Sequence, residues 1–248
     1  DSEFCTPRLY NKTMNKRFVL VILTAGLALS LGLQAQGWQT FSFNEVNRDI
    51  PDGSVSGTSD TRSVSASGNQ IEDVEVTLTL GGDRAFNGDL YAHLQHEDGF
   101  AVLLNRPGRT AGNTFGYADN GFDVTFSDGA PNGDIHNYSL TLFGNVNTPV
   151  DPAYQLPLTG LWAPDGRYVL PGSSYDTTPR TATLSSFNGL DPNGSWTLFL
   201  ADTSQGGTAT LKGWSISVKA IPEPGVYTLL LLGMAAFVLP RFRRRDLH

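Results

Sequence analysis

The sequence predicts an all-β body, a β-sandwich, between residues 37 and 219. Apolar and polar residues alternate with a period of two in short segments of this body. Gly, Asn, Asp and Pro separate the segments at a spacing typical of a sandwich or jelly roll. No amphipathic helix of several turns interrupts them. The chain has 248 residues, 40% of them hydrophobic, which is enough to fill a core.

Four segments of the body carry the alternation. The apolar positions are Val74, Val76, Leu78 and Leu80 in the first, Leu90, Ala92 and Leu94 in the second, Trp196, Leu198 and Leu200 in the third, and Leu211, Trp214, Ile216 and Val218 in the last. Gly213 is expected to loosen the register of the last strand. Residues 111–133 are rich in Gly, Asn and Asp and predict long loops around one short strand at 122–126. Trp196 and Trp214 are expected to meet in the core from facing sheets.

The charge is distributed unevenly along the chain. Its formal net charge is −7, whereas residues 37–219 hold nine basic and twenty acidic residues, a charge of −11. An acidic body argues against nucleic acid as a partner. The single cysteine excludes a disulfide framework and a cysteine-based zinc site.

The N-terminal end predicts a secretory signal peptide over residues 14–35. A short basic segment is followed by an apolar run at 18–29, and Ala35 is the expected cleavage position. A membrane anchor is the alternative, although the run is short for a bilayer span of ~20 residues. Residues 1–13, which contain Cys5, are predicted to be an upstream segment or a misassigned start. We expect export by the Sec machinery and cleavage by signal peptidase.

The C-terminal end combines a tripeptide, an apolar run and a basic cluster. The apolar run at 226–239 predicts a short transmembrane helix, because its residues form no polar face and the basic cluster beyond it would remain cytoplasmic. A buried core helix is the alternative, but it leaves the basic cluster unexplained. The motif residues are Pro222, Glu223, Pro224, Arg241, Arg243, Arg244 and Arg245.

This order of elements over residues 221–245 resembles the PEP-CTERM sorting signal of Gram-negative bacteria. The resemblance implies recognition by an exosortase and cleavage near the motif. It also implies passage from an inner-membrane-anchored intermediate to the cell surface or extracellular matrix. Members of this family usually accompany exopolysaccharide or biofilm production. Pro240 departs from the pattern because it shortens the helix.

Two segments of the body resemble the P domain, also called P/Homo B, which follows the subtilisin-like catalytic domain of proprotein convertases. Residues 84–108 contain Gly88 and Asp89 in a Gly-Asp-Leu string and end in Arg-Pro-Gly. Residues 185–218 are similar to the closing signature of the family. The matching positions there are Phe187, Gly189, Asn193, Gly194, Trp196, Asp202 and Trp214. The resemblance covers residues 65–219 and implies a jelly-roll β-sandwich similar to galactose-binding domains.

A non-catalytic role is expected for the body. The resemblance implies it, because the catalytic triad of the convertases belongs to the neighbouring domain. The sequence also contains no Gly-x-Ser-x-Gly elbow, P-loop, His-Glu-x-x-His string or full EF-hand string. His93 lies on the polar face of its predicted strand and His96 at a turn, so both are expected to be solvated.

Calcium is the one cofactor that the residues suggest. Aspartates in turns offer oxygen ligands to a hard cation, and such a cation would reduce the self-repulsion of the acidic body. The candidate ligands are Asp89, Asp119, Asp123, Asp128 and Asp202.

Three functions fit these observations. The first is an exported surface or matrix protein whose body is a P-domain-like binding or structural module. The second is an exopolysaccharide-binding module, with Tyr117, Phe122 and Tyr175 as candidate stacking residues. The third is a stand-alone accessory P domain of a subtilisin-like protease system.

Overall fold

The structure, a computed structural model, describes residues 37–221, which form ten β-strands in two sheets. The strands are β1 (Trp38–Phe43), β2 (Arg48–Ile50), β3 (Ser54–Val64), β4 (Gln70–Gly81), β5 (Leu90–His96), β6 (Gly99–Asn105), β7 (Phe122–Phe126), β8 (Leu158–Trp162), β9 (Gly194–Asp202) and β10 (Ala209–Ile221). A six-residue helix, α1 (Tyr138–Phe143), and short 3₁₀ turns connect them. The predicted signal peptide at 14–35, residues 1–13 and the sorting signal from residue 222 onward, with its helix at 226–239, lie outside the described residues.

The larger sheet has the strand order β1-β10-β4-β7-β8, and β2 also pairs with β10. The smaller sheet has the order β3-β9-β5-β6. Neighbouring strands are antiparallel except for β7 and β8, which are parallel. A parallel pair needs a long crossover, and the segment that contains α1 makes this connection.

One hydrophobic core receives side chains from both sheets. In β4 the predicted positions Val74, Val76 and Leu78 are fully buried, and Leu94 of β5 and Leu198 of β9 join the same cluster from the other sheet. The period-two pattern therefore predicted the inward faces of these strands correctly. The sequence prediction of a mostly β body with two packed sheets is confirmed.

The irregular positions of the sheets follow from particular residues. The pairing of β10 with β4 shifts register between Leu211 and Gly213, where the sequence predicts a loosened strand. The short strand predicted at 122–126 is β7. Within residues 37–221, no helix is both long and apolar enough to span a membrane.

The two tryptophans of the predicted core are buried, but they pair with other rings than expected. Trp196 stacks on His96 with ring centroids 4.0 Å apart and contacts Phe187 at 5.0 Å. Trp214 packs on Phe43 of the neighbouring strand, at 4.7 Å. Each ring finds its partner within its own sheet or from an adjoining turn, because the neighbouring strand lies closer than the facing sheet.

Candidate binding site

One end of the smaller sheet brings together charged residues that are distant in the sequence. Asp89 immediately precedes β5, Arg106 immediately follows β6, and Asp202 is the last residue of β9. The antiparallel register places Leu90 opposite Asp202 and Tyr91 opposite Asn105, so the three charged residues share this edge. All three are nine-tenths or more buried.

Arg106 is the link between these residues. Its Nε donates to the Gly88 carbonyl at 2.8 Å, and its Nη2 lies 3.5 Å from Oδ1 of Asp89. The same Nη2 donates to the Thr114 carbonyl at 3.3 Å and to Oγ of Ser204 at 3.4 Å. The guanidinium therefore ties the chain before β5 to the loop after β6 and the turn after β9.

The two carboxylates at this end are electrostatically unfavourable neighbours. Burial, with a smaller contribution from the charge of Asp89, raises the pKa of Asp202 to about 6. Burial also raises the pKa of Asp89, and a hydrogen bond from Ser204 and the charge of Arg106 offset part of that effect. Both acids thus favour the protonated state more than an exposed aspartate does.

The loop over residues 106–119 covers this end of the sheet through close backbone contacts. A Cβ at Gly88 would lie 2.2 Å from the Phe115 carbonyl oxygen, and one at Gly108 would lie 2.4 Å from the Tyr117 ring. Gly108 also has a φ of +80°, which favours glycine. Gly88, a residue of the predicted signature, is therefore required by the close approach of two backbone segments.

A small cavity lies beside this loop. Its volume is about 180 Å³, and its walls come from the loop, from α1 and from residues 146–154. Asp119 lies in its wall, where Oδ2 accepts a 2.6 Å hydrogen bond from Tyr138 and Oδ1 accepts a 2.7 Å bond from the Val150 amide. Asn87 donates to the Tyr138 hydroxyl at 3.1 Å, which joins the cavity wall to the charged end of the sheet.

A second buried polar network contacts the same loop through the Arg109 carbonyl. His136 and Asp165 are fully buried, and Nδ1 of the histidine is 2.8 Å from Oδ2 of the aspartate. Asp165 also faces Nη1 of Arg167 at 3.3 Å, and Arg167 donates to Asp134 at 2.8 Å. Nε2 of His136 lies 2.9 Å from the Arg109 carbonyl.

The five candidate calcium ligands do not form one group. Asp89 and Asp202 lie together, whereas Asp119 binds Tyr138 and Val150 as described. Asp123 is exposed and accepts a 3.2 Å bond from Thr79, and Asp128 accepts the backbone amides of Leu184 and Ser185 at 3.0 and 2.8 Å. Within residues 37–221, no three His, Cys, Asp or Glu side chains are arranged to hold a metal ion.

The other predicted signature residues have structural contacts. Oδ1 of Asn193 accepts the Ala66 amide at 2.8 Å, and Gly194 has a φ of +115° at the start of β9. Gly189 also has a positive φ, +86°, after the turn that contains the buried Phe187. These positions shape the turn that precedes β9.

The expected solvation of two histidines is wrong. His96 is buried against Trp196, and its ring nitrogens lie 3.0 Å from the Ser195 carbonyl and 2.6 Å from the Asp191 carbonyl. His93 is half-buried and stacks on Phe199 at 4.8 Å. Packing against aromatic rings has replaced water at both positions, which a strand pattern does not reveal.

The candidate stacking residues are also not available as flat exposed platforms. Tyr117 and Phe122 are buried, and Tyr175 is half-buried with the guanidinium of Arg109 5.0 Å from its ring centroid. Sequence reasoning missed Arg106, Tyr138 and the His136 network as site residues. Of these, only Arg106 had a signal, because it begins the Arg-Pro-Gly string.

Comparisons with known proteins find only weak similarity to solved structures. No family model matches the chain, and no curated protein matches it. A crystal structure of the serine protease of Aeromonas sobria is 16% identical with a TM-score of 0.36, and the match covers 80% of this chain and 30% of that chain. The crystal structure of that protease in complex with the chaperone ORF2 is 16% identical with a TM-score of 0.37, covering 77% of this chain and 28% of that chain. This chain therefore spans less than a third of the length of these two solved chains.

Proposed function

We propose that this chain is an exported surface or matrix protein whose body is a non-catalytic binding module with a P-domain-like jelly-roll topology. The Sec machinery, signal peptidase and an exosortase are the partners that route it. The membrane holds it through residues 226–239 before processing. The two-sheet body is the part that acts outside the cell, by contact.

His136 is the observation that carries the non-catalytic assignment. A catalytic acid–base pair needs a ring nitrogen that faces a nucleophile or substrate. Here Nδ1 faces Asp165, Nε2 faces the Arg109 carbonyl, and the ring is inaccessible to solvent. His136 and Asp165 therefore have the residue types of an acid–base dyad, but their contacts are those of a structural hydrogen-bond network.

The test of this assignment is a search for turnover by the purified full chain. We expect hydrolysis of casein, of an activated ester and of a neutral polysaccharide to stay at the rate of the heat-denatured protein. Turnover that co-purifies with the folded chain through two chromatographic steps would contradict the assignment.

Export and sorting are tested by mass spectrometry of the protein from the surface and medium of a Gram-negative host that carries an exosortase. We expect mature material that begins after Ala35 and lacks residues 241–245. A host without exosortase is the matched control, in which the C-terminal end remains. Intact residues 241–245 on all surface material would overturn the sorting proposal.

A role as an accessory domain of a separate protease is the second candidate, and the resemblance of residues 84–108 to the P domain favours it. Co-purification of a subtilisin-like protease with the full chain from its native host would support this candidate. Loss of that partner in an Arg106→Ala variant would identify the charged end of the smaller sheet as the contact.

A further inference from the structure

Arg109 is a buried arginine without an ionic partner in the described part of the chain. The arginines of residues 37–221 that are nine-tenths or more buried are Arg106, Arg109 and Arg167. Arg106 faces Asp89 at 3.5 Å. Arg167 faces Asp134 at 2.8 Å. Arg109 forms no ion pair with any carboxylate of residues 37–221. Since buried charges in proteins are nearly always paired, Arg109 lacks the negative group that its burial calls for.

The contacts of the Arg109 guanidinium are with neutral groups. Its Nε donates to the Thr114 carbonyl at 3.1 Å, and its Nη1 donates to the Pro171 carbonyl at 2.6 Å. The centroid of the Tyr175 ring lies 5.0 Å from Cζ. Nη2 is not fully enclosed, and it makes no hydrogen bond within the described ranges. The two carbonyls and the ring hold the guanidinium in place, but they carry no net charge to balance it.

A second arginine adds to the positive charge at this place. Nη2 of Arg106 donates to the same Thr114 carbonyl at 3.3 Å, so two guanidinium groups meet at one oxygen. Burial, and after it the nearby charge of Arg109, lowers the pKa of Arg106. Asp89 partly balances Arg106 but forms no ion pair with Arg109. An anion that reaches Arg109 would therefore be attracted, although the body as a whole is acidic.

Large apolar side chains adjoin both carbonyl partners of Arg109. Phe115 follows Thr114 in the chain and is 77% exposed. Leu170 precedes Pro171 and is 79% exposed. Exposed apolar side chains that lie close together mark interaction sites more often than scattered ones do. The surroundings of Arg109 therefore suit a ligand that combines an anionic group with an apolar one.

The two loops that carry these side chains are held by hydrogen bonds of their own. Oδ1 of Asn113 accepts the amides of Phe115 and Gly116 at 3.2 and 3.3 Å. In the other loop, the buried Ser174 donates to the Asn105 carbonyl at 3.0 Å, which ties this loop to the end of β6. A site that is ordered before binding loses less entropy when its partner binds.

We propose that Arg109, Phe115 and Leu170 form a docking site, the Arg109 site, for a protein segment that carries one carboxylate beside an apolar side chain. The carboxylate accepts from the free N–H groups of Arg109, since a guanidinium presents paired donors that match a carboxylate. The apolar side chain packs on Phe115 and Leu170. A polyuronate has a carboxylate on every sugar and would be repelled by the acidic body, so the charge favours a segment with a single carboxylate. The inference rests on the proposed binding function and names its site and its class of partner.

The first test measures binding of the peptide acetyl-Phe-Glu-amide to the full chain by calorimetry and thermal melts. Acetyl-Phe-Gln-amide is the matched neutral probe. We expect the acidic peptide to bind about tenfold more tightly than the neutral one, because hydrogen bonds to charged groups are the stronger ones. At about ten times its dissociation constant, the acidic peptide should raise the melting temperature by about 3–6 °C.

The second test compares Arg109→Gln with Arg84→Gln as its matched control. Both changes remove one positive charge, but Arg84 is exposed and forms no ion pair within residues 37–221. We expect Arg109→Gln to weaken binding of the acidic peptide by about tenfold or more and Arg84→Gln to leave it unchanged.

A third test uses exposed positions, where a substitution does not disturb the core. Phe115→Ser and Leu170→Ser each remove one apolar side chain of the Arg109 site. Val55→Ser is the control, because Val55 is 70% exposed and lies on β3. We expect each of the first two variants to weaken binding by about three- to tenfold and the control to bind as the parent chain does. This test holds even where Arg109→Gln fails to fold.

Five results would overturn the proposal. They are no saturable binding of the acidic peptide up to about 10 mM, equal binding of the neutral peptide, equal binding by folded Arg109→Gln and Arg84→Gln, equal binding by all three serine variants, and tighter binding of alginate oligomers, which would assign the site to an acidic polysaccharide. These outcomes are distinct from failure of the proposed function. Turnover or the absence of export would remove the proposed function, whereas an exported, inactive chain that fails these binding tests would remove only the partner assignment.

Discussion

The indole Nε1 of Trp214 donates a 2.8 Å hydrogen bond to Oδ2 of Asp60, and this bond joins the two sheets. Trp214 belongs to β10 of the larger sheet and Asp60 to β3 of the smaller one. Asp60 is 4% exposed, and it also accepts a 2.8 Å bond from Nε of Arg62 and faces Arg48 at 3.6 Å. The buried carboxylate is satisfied here by a hydrogen bond from the indole N–H and by the positive charges of two arginines.

Replacing Asp60 with Ala should therefore destabilise the protein strongly. The change leaves the Trp214 N–H buried without an acceptor, and it removes the counter-charge of Arg62. We expect a loss of about 2–4 kcal/mol in the free energy of unfolding, measured by urea denaturation at pH 7. Asp123→Ala is the control, because this exposed aspartate has one long bond to Thr79, and its cost should stay within about 0.5 kcal/mol. Equal costs for the two variants would refute the cross-sheet role.

Asp202 should make the protein less stable as the pH rises. Its pKa is about 6 in the folded state against an ordinary value of 3.8. The stability that its protonated form contributes is complete below pH 3.8 and is lost as the pH rises through 6. Asp202→Asn should therefore raise the free energy of unfolding at pH 8 by about 1–3 kcal/mol and change it little at pH 4. A gain that is the same at both pH values would show that ionisation of Asp202 is not the cause.

His93 should act in the opposite direction over an overlapping range. Burial lowers its pKa from 6.5 to about 4, so the unfolded chain binds a proton that the folded protein does not. Stability is then lost as the pH falls from 6.5 through 4. His93→Phe keeps a ring against Phe199 and removes this loss. Between pH 7 and 4.5 we expect the variant to gain about 1–3 kcal/mol relative to the parent chain in urea denaturation.

The pH dependences of stability that come from Asp202 and His93 partly cancel in the parent chain. Each variant removes one of them and so leaves the other visible. His93→Phe should show the slope that belongs to Asp202, and Asp202→Asn should show the slope that belongs to His93. Parallel stability profiles for the parent and both variants between pH 4 and 8 would contradict both assignments.

Calcium binding stays a prediction, and Asp89 and Asp202 are the two candidate ligands that lie together, at one end of the smaller sheet. A cation there would need both carboxylates ionised and would compete with Arg106 for Asp89. If it binds, thermal melts in matched salt should be several degrees higher with calcium than with chelator. The difference should disappear in the Asp202→Asn variant. Identical melting temperatures of the parent chain in calcium and in chelator would refute calcium binding.

The strand pattern was readable from the sequence where one face of a strand is buried. Val74, Val76 and Leu78 alternate with polar residues, so a period of two appears in the letters themselves. One strand that the pattern missed, β3 (Ser54–Val64), consists mostly of polar residues, few of which are buried. Backbone hydrogen bonds to β9 hold β3 in the sheet, and these bonds leave no trace in side-chain periodicity.

The candidate site was readable only in part. The aspartates were visible as acidic residues in turns, but a sequence does not show which carboxylate has a backbone amide, a tyrosine or an arginine as its partner. Asp119 accepts a hydrogen bond from Tyr138 and Asp128 accepts the Leu184 amide, whereas Asp89 and Asp202 share one end of a sheet because of antiparallel register. His96 is misjudged for the same reason, since its burial depends on the ring of Trp196, a hundred residues later.

By itself, the sequence determined the β architecture of the body, the inward faces of its strands and its acidic charge. It also predicted a signal peptide at one end and a sorting signal at the other. These properties depend on residue type and on neighbours a few positions away. Only the tertiary structure decided that Trp214 binds Asp60, that Arg106 joins three segments, and that Trp196 stacks on His96. Such contacts depend on strand order and register, which arise when distant segments pack into a common core and which local residue patterns do not encode.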